Sequence, residues 1–149
     1  MTKTIRLVSD IGGTNARFAL AKTGELINST LQNYHVANFD KFEDCLKTYI
    51  ATLGSPYPNI DEACVSVAGP VYDNTIDFTN NHWAIDADLV GNKLGYKFKL
   101  INDFESMAYA CSTLSNGNVV SVGGPNLQTA EAGARLSVLG AGTGLGVAN

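Results

Sequence analysis

The hydrophobic period first changes near Phe39, and the alternation of periods from there on restricts the chain to a mixed α/β fold. Before it, short β-rich runs alternate with turns: 5–10, the glycine-rich 11–15, 16–21, then, past Lys22-Thr23-Gly24, the run 26–36. Three strands joined by short turns predict an antiparallel meander. From Phe39 onward, Phe42, Cys45, Leu46, Tyr49, Ile50 and Leu53 recur at steps of three and four. That spacing predicts an amphipathic helix, capped by Asn38 or Asp40 and stopped by Gly54-Ser55-Pro56. Residues 63–68 are apolar or small on both faces, as in a central strand covered on both sides, and Gly69-Pro70 breaks the run. The stretch 71–79 alternates weakly and reads as a further hairpin. A short helix over 86–94 ends at Gly95, and 98–101 is a strand. Asp103 opens a helix with Phe104, Met107, Ala108, Cys111 and Leu114 on its apolar face. Val119-Val120 reads as a short strand, 123–133 as a polar connection, and 136–139 as a strand leading into the glycine-rich 140–146. The order predicts a mixed sheet with an antiparallel meander at one edge, a parallel portion, and flanking helices.

Length and composition narrow the class. A chain of 149 residues, 45% hydrophobic and 16% charged, is one domain's worth of sequence with enough apolar surface for a core. That excludes disorder as the main state. With 10 Lys+Arg against 14 Asp+Glu, the net charge of −4 argues against a nucleic-acid or anionic-membrane surface. No apolar run approaches the ~18 residues of a membrane span, and Met1-Thr2-Lys3-Thr4 leads straight into a strand without a signal-peptide core. Cys45, Cys64 and Cys111 match neither a disulfide framework nor a zinc pattern. They read as buried, reduced thiols of a cytoplasmic protein.

Four segments carry chemistry. In Asp10-Ile-Gly-Gly-Thr-Asn-Ala-Arg17, adjacent glycines let backbone N–H groups approach an anion. Thr14 and Asn15 add donors, and Asp10 at a strand end suits Mg²⁺, directly or through water. Arg17 suits a phosphate or an acid partner, and a plain hairpin turn explains the same residues. Gly140-Ala-Gly-Thr-Gly-Leu-Gly146 comes after a strand. A dinucleotide fingerprint fails there, because the last glycine position holds Leu145 or Val147 and the next residues, Val147-Ala148, are β-like. A Walker loop needs Gly-Lys-Ser/Thr, which the chain lacks. A second hairpin phosphate loop remains, with Thr143 as hydroxyl donor. Asn102-Asp103 sits where a strand meets a helix, so Asp103 suits either a helix start or a carboxylate that takes a proton from a substrate hydroxyl. The segment 78–83, Phe-Thr-Asn-Asn-His-Trp, suits a sugar-facing loop or a turn with a buried Trp. His82 has no nearby partners for a metal.

Together these motifs resemble the bacterial-type ATP-dependent glucokinases of the hexokinase and actin superfamily. The likeness runs through 10–17 (a DxGGTNxR phosphate loop), Thr79-Asn80 with Trp83 (TN-x-x-W), Asn102-Asp103-Phe104, and 140–146 (GAGTGLG). It implies a ribonuclease H-like, actin-like ATPase lobe and the transfer of a phosphoryl group from ATP to the glucose 6-hydroxyl, the first step of glycolysis. It also implies Asp103 as general base, and Asn102, Asp103 and Asn80 as sugar-binding residues. Ser9, Asp10, Ile11, Gly12, Gly13, Thr14, Gly142 and Thr143 would hold ATP, with Asp10 toward Mg²⁺.

Such enzymes run to about twice this length. The expectation is therefore a small lobe over 1–134 and, over 135–149, the opening hairpin of a truncated large lobe, with little turnover by these residues alone. Unpaired strand edges over 136–149 would invite disorder or pairing with another chain, as a homodimer or strand-swapped contact. Another hexose or amino sugar as substrate, a sugar-sensing regulator, or a non-catalytic interaction domain are the alternatives. The regulator usually carries an N-terminal helix-turn-helix, for which a first strand at Ile5 leaves no room.

Overall fold

The computed structural model describes residues 4–54, 59–114, 116–120, 122, 137–141 and 145–148. The chain forms two compact units, Met1–Asp103 and Phe104–Asn149. The expected lobe boundary at 134/135 and the polar connection over 123–133 fall outside the described residues.

In the first unit, strands β1 (Ile5–Ile11), β2 (Asn15–Lys22) and β3 (Glu25–His35) make the expected antiparallel meander. β4 (Glu62–Val67) lies parallel to β1, and β7 (Lys97–Asn102) parallel to β4. Together they form a five-stranded sheet in the order β3-β2-β1-β4-β7. The β2–β3 ladder is irregular between Phe18 and Leu20. There the Leu20 N–H donates to Thr30 Oγ1 at 2.8 Å, so the irregularity leaves that N–H satisfied. The stretch 71–79 resolves into a tight Tyr72–Thr75 turn and the strand β5 (Thr75–Asp77). β5 pairs with β6 (Ala84–Asp86) in a separate two-stranded sheet.

Two helices pack on the sheet. α1 (Phe42–Thr52) buries Phe42, Cys45, Leu46 and Tyr49, the stripe its spacing predicts. Phe18 stacks on Tyr49 with centroids 5.1 Å apart, and Phe42 meets Trp83 and Phe98 edge-on at 6.0 and 5.9 Å. Neither Asn38 nor Asp40 caps α1. Val36–Asn38 turns as a 3-10 helix, which makes Lys41 the N-cap without a side-chain bond. Glu43 and Asp44 instead set negative charge in the first turn. α2 (Ala87–Leu94) matches expectation: Asp86 caps it by accepting from the Leu89 N–H at 2.9 Å, and Gly95 closes it at φ 80°. Gly91 sits where α2 presses on β7, since a Cβ there would fall 2.8 Å from the Tyr96 carbonyl.

β4 departs from the both-faces reading. Ala63, Val65 and Val67 are buried while Glu62, Cys64 and Ser66 are only half-buried, because the core cluster with α1 and α2 lies on one face. The thiols differ accordingly: Cys45 is buried, Cys64 and Cys111 are intermediate. No helix among the described residues is long and apolar enough to cross a membrane.

Asn74 closes the outer edge of the sheet. It sits at φ 57° in the Tyr72–Thr75 turn. Its side chain donates to the Phe98 carbonyl at 2.9 Å and accepts from the Leu100 N–H at 2.9 Å, as a neighbouring strand would. It also donates to Asp88 at 2.7 Å, and its carbonyl accepts from the Ala87 N–H at 3.1 Å.

α3 (Asp103–Cys111) starts at the last residue of the first unit and continues into the second, where β8 (Val138–Ala141) pairs antiparallel with β9 (Leu145–Ala148). None of the α3 residues is buried, and Met107 and Leu114 are about half exposed, so the expected apolar face is not sealed. Val119-Val120 is not a strand. Asn116–Asn118 forms a 3-10 turn and Val120 is exposed, since two valines alone have no strand to pair with among the described residues.

Burial has a consequence at alkaline pH. It pushes the Cys45 thiol from 9.0 up to about 12, and raises the Tyr49 phenol as well. The folded state keeps protons that the unfolded chain releases, so stability is full below the unfolded values and falls as pH rises. The expected slope is about −1.4 kcal/mol per pH unit for Cys45 above about pH 9, with Tyr49 adding its share only above about pH 10. Urea midpoints should hold steady to about pH 8 and then drop, with a shallower drop in Cys45→Ala. A midpoint unchanged across about pH 8 to 10.5 would sink the idea.

Candidate active site

Parallel pairing brings two of the chemistry-bearing segments, 10–17 and 102–103, to one end of the sheet. Ile11 pairs with Val67, and Val67 with Asn102, so β1, β4 and β7 end level. Adjacent strands lie about 4.8 Å apart, which sets the Ile11 and Asn102 backbones roughly 10 Å apart. Open α/β sheets bind ligands beyond the carboxyl ends of such strands.

Beyond β1 the chain makes a short turn, with Gly12 N–H donating to the Asn15 carbonyl at 2.9 Å and Val36 N–H to that of Thr14 at 2.9 Å. The two glycines serve different ends. A Cβ on Gly13 would fall 3.0 Å from the Asn80 carbonyl oxygen and 3.2 Å from Asn80 Cγ, so packing favours glycine there, and a larger residue would push Asn80 aside. A Cβ on Gly12 would meet only Asn15 O at 4.0 Å, and its φ is not left-handed. Neither packing nor backbone geometry among the described residues calls for glycine at 12. The N–H groups of Gly13 and Thr14 find no backbone acceptor among the described residues. These are the features of a concavity for an anion.

Asp10 and Arg17 face each other across β1 and β2, and Arg17 Nη1 donates to the Asp10 carboxylate at 2.9 Å, both side chains about half exposed. Ser9 is buried, and its hydroxyl donates to the Arg17 carbonyl at 2.7 Å. Ile11 is wholly buried, so only its backbone can serve a ligand.

The 78–83 segment touches the same turn. Trp83 is 1% exposed, and its Nε1 donates to the Phe39 carbonyl at 3.1 Å. His82 Nε2 lies 2.9 Å from that carbonyl, which can only accept, so Nε2 carries the proton. Asn81 donates from Nδ2 to the Gly12 carbonyl at 3.1 Å and accepts at Oδ1 from the Trp83 N–H at 2.7 Å. Asn80 is exposed beside Gly13. The buried-Trp reading holds, and the buried ring keeps the exposed amide of Asn80 beside the turn.

Asn102 ends β7 half-buried, and its Nδ2 donates to the Gly69 carbonyl at 3.0 Å. Asp103, also half-buried, is the first residue of α3. Gly142 and Thr143 lie outside the described residues. Gly140 has a packing reason within its own unit: a Cβ there would fall 2.6 Å from the Phe104 ring. Among the described residues no three His, Cys, Asp or Glu side chains gather as a cation cage. A Mg²⁺ ion fits here only if phosphate and water oxygens supply most of its shell, with Asp10 as the protein's carboxylate.

Two contributors escaped the sequence reading as site residues, Asn81 and the Gly69 carbonyl, while Arg17 takes the acid-partner alternative with Asp10. Asn81 did carry a signal, for an Asn two residues ahead of a buried Trp is an Asx-turn pattern.

The glucokinase family model matches residues 7–149. The chain belongs to the glucokinase family. A glucokinase of Marinobacter nauticus is 38% identical over 143 residues, covering 95% of this chain and 43% of the relative. One of Pseudomonas aeruginosa is 42% identical over 142 residues, covering 95% of this chain and 41% of the relative. The crystal structure of a glucokinase from an Antarctic psychrotroph superposes with a TM-score of 0.81 at 30% identity, over 96% of this chain and 45% of that one. The fold is thus the actin-like ATPase fold of the glucokinase family. The chain spans less than half the length of these glucokinase relatives.

Proposed function

We propose that this chain supplies the phosphate-loop and sugar-hydroxyl lobe of an enzyme that phosphorylates glucose from ATP in the cytoplasm. Residues 1–134 would form the small lobe and 135–149 the first hairpin of a larger one. The observation that carries the reading is the level ending of β1 and β7 about 10 Å apart, one with an open Gly-Gly turn, the other with Asn-Asp. Phosphoryl transfer needs a positioned hydroxyl, a carboxylate to receive its proton, and donors on the phosphate oxygens.

In this mechanism Asp103 accepts the proton of the sugar 6-hydroxyl as its oxygen bonds to the γ-phosphorus and the bond to ADP breaks. Asn80 and Asn102 orient the sugar through its other hydroxyls. The N–H groups of Gly13 and Thr14, with Gly142 and Thr143, meet the phosphate oxygens. Mg²⁺, with Asp10 toward it, would neutralise charge on the phosphates. Arg17 holds the Asp10 carboxylate in place. The exposed Leu139 and Val147 of β8 and β9 would be covered by further chain or by a second copy.

The test is glucose-dependent ADP production with Mg-ATP, by this chain and by the chain extended through its full reading frame. Activity only in the extended protein is the expected result. Activity in the 149 residues alone would overturn the incomplete-lobe reading. Faster turnover of another hexose or an amino sugar would overturn glucose.

A further inference from the structure

We infer that Asn81 is a positioning residue for the first phosphate loop, setting which way the Gly12–Gly13 peptide faces. The inference rests on the phosphate-loop reading above and names a residue which that reading does not use. A trans peptide points its C=O and its N–H in opposite directions. Asn81 Nδ2 holds the Gly12 carbonyl at 3.1 Å, which turns the Gly13 N–H the other way, away from Asn81. A peptide between two glycines flips at little steric cost, since neither residue carries a Cβ. Neither Gly12 nor Gly13 is held at positive φ, so local backbone geometry does not select the orientation. The Asn81 bond selects it.

Asn81 can do this because it is itself anchored. Its Oδ1 accepts from the Trp83 N–H at 2.7 Å, and the Trp83 ring is 1% exposed, bonded to the Phe39 carbonyl and packed edge-on against Phe42. Asn80, next in the chain, packs on Gly13. The loop is thus tied to the core through one amide, and the residue beside that amide is the one proposed to meet the sugar.

Two variants in the protein made from the full reading frame separate the roles of the amide. Asn81→Ala removes both bonds without adding charge. Asn81→Ser keeps a hydroxyl able to accept from the Trp83 N–H but too short for Gly12. Both should weaken MgADP binding, measured calorimetrically, and raise the KM for ATP, each about five- to tenfold, as for one lost hydrogen bond. The KM for glucose should stay within about twofold, and the melting temperature of Asn81→Ser should stay near that of the parent. Unchanged nucleotide affinity in Asn81→Ser would overturn the inference, and so would equal weakening of sugar and nucleotide. Failure of the kinase reading would appear elsewhere: the unsubstituted protein would neither bind MgADP nor form ADP from glucose.

Discussion

Asp103→Asn, in the protein made from the full reading frame, is expected to lower kcat by about 10²–10⁴-fold, the usual range for a lost general base. The substitution keeps the shape of the side chain and its ability to hydrogen-bond a sugar hydroxyl. It removes the carboxylate that can accept the hydroxyl proton. The glucose KM should therefore move little while kcat collapses, the pattern of an interaction made in the transition state. Because Asp103 opens α3, the same change removes a negative charge from a helix N-terminus, worth about 0.3–1 kcal/mol. A helix-start role alone predicts the opposite pattern: a small fall in melting temperature and near-normal turnover. Steady-state kinetics with a thermal melt on the same preparation decide between the two.

Asn74→Ala is expected to lower stability by about 3–5 kcal/mol, read as a shift of the urea midpoint at unchanged slope. The side chain makes three hydrogen bonds, to Asp88, the Phe98 carbonyl and the Leu100 N–H. Each contributes about 1 kcal/mol, and more where a half-buried backbone group loses its partner. Alanine at φ 57° adds roughly 1–2 kcal/mol of left-handed strain. Asn74→Gly should recover that last part and leave the rest. If Asn74→Ala melts with the parent, water is satisfying the β7 edge and the amide does little there.

Elements whose causes lie within a few residues were legible. The β1–β2 hairpin follows from its glycine turn, and α2 from Asp86 at one end and Gly95 at the other. A parallel portion followed from the order of periods, while the β1–β4–β7 pairing that levels Asp10 with Asn102-Asp103 is seen only in the structure. What failed depended on distant partners. Asn38 and Asp40 are good caps by type, but the 3-10 turn before α1 takes up one and leaves the other outside. β4 has small residues on both faces, and only packing tells which is covered. Asn74 and Asn81 look like ordinary turn residues, because their bonds reach 26 and 69 positions along the chain. The Gly-Gly turn was visible as such, while the different reasons for its two glycines required Asn80 to be seen against one of them.

The amide of Asn74 also makes the sheet one-ended. Its outer strand on that side already has the Phe98 carbonyl and Leu100 N–H occupied, so an arriving strand would find no continuous ladder to join. At the opposite margin β3 presents 11 residues with Leu26 and Leu31 more than half exposed. Among the described residues, edge-on addition of another strand to this sheet, in assembly or in aggregation, has its continuous open edge at β3.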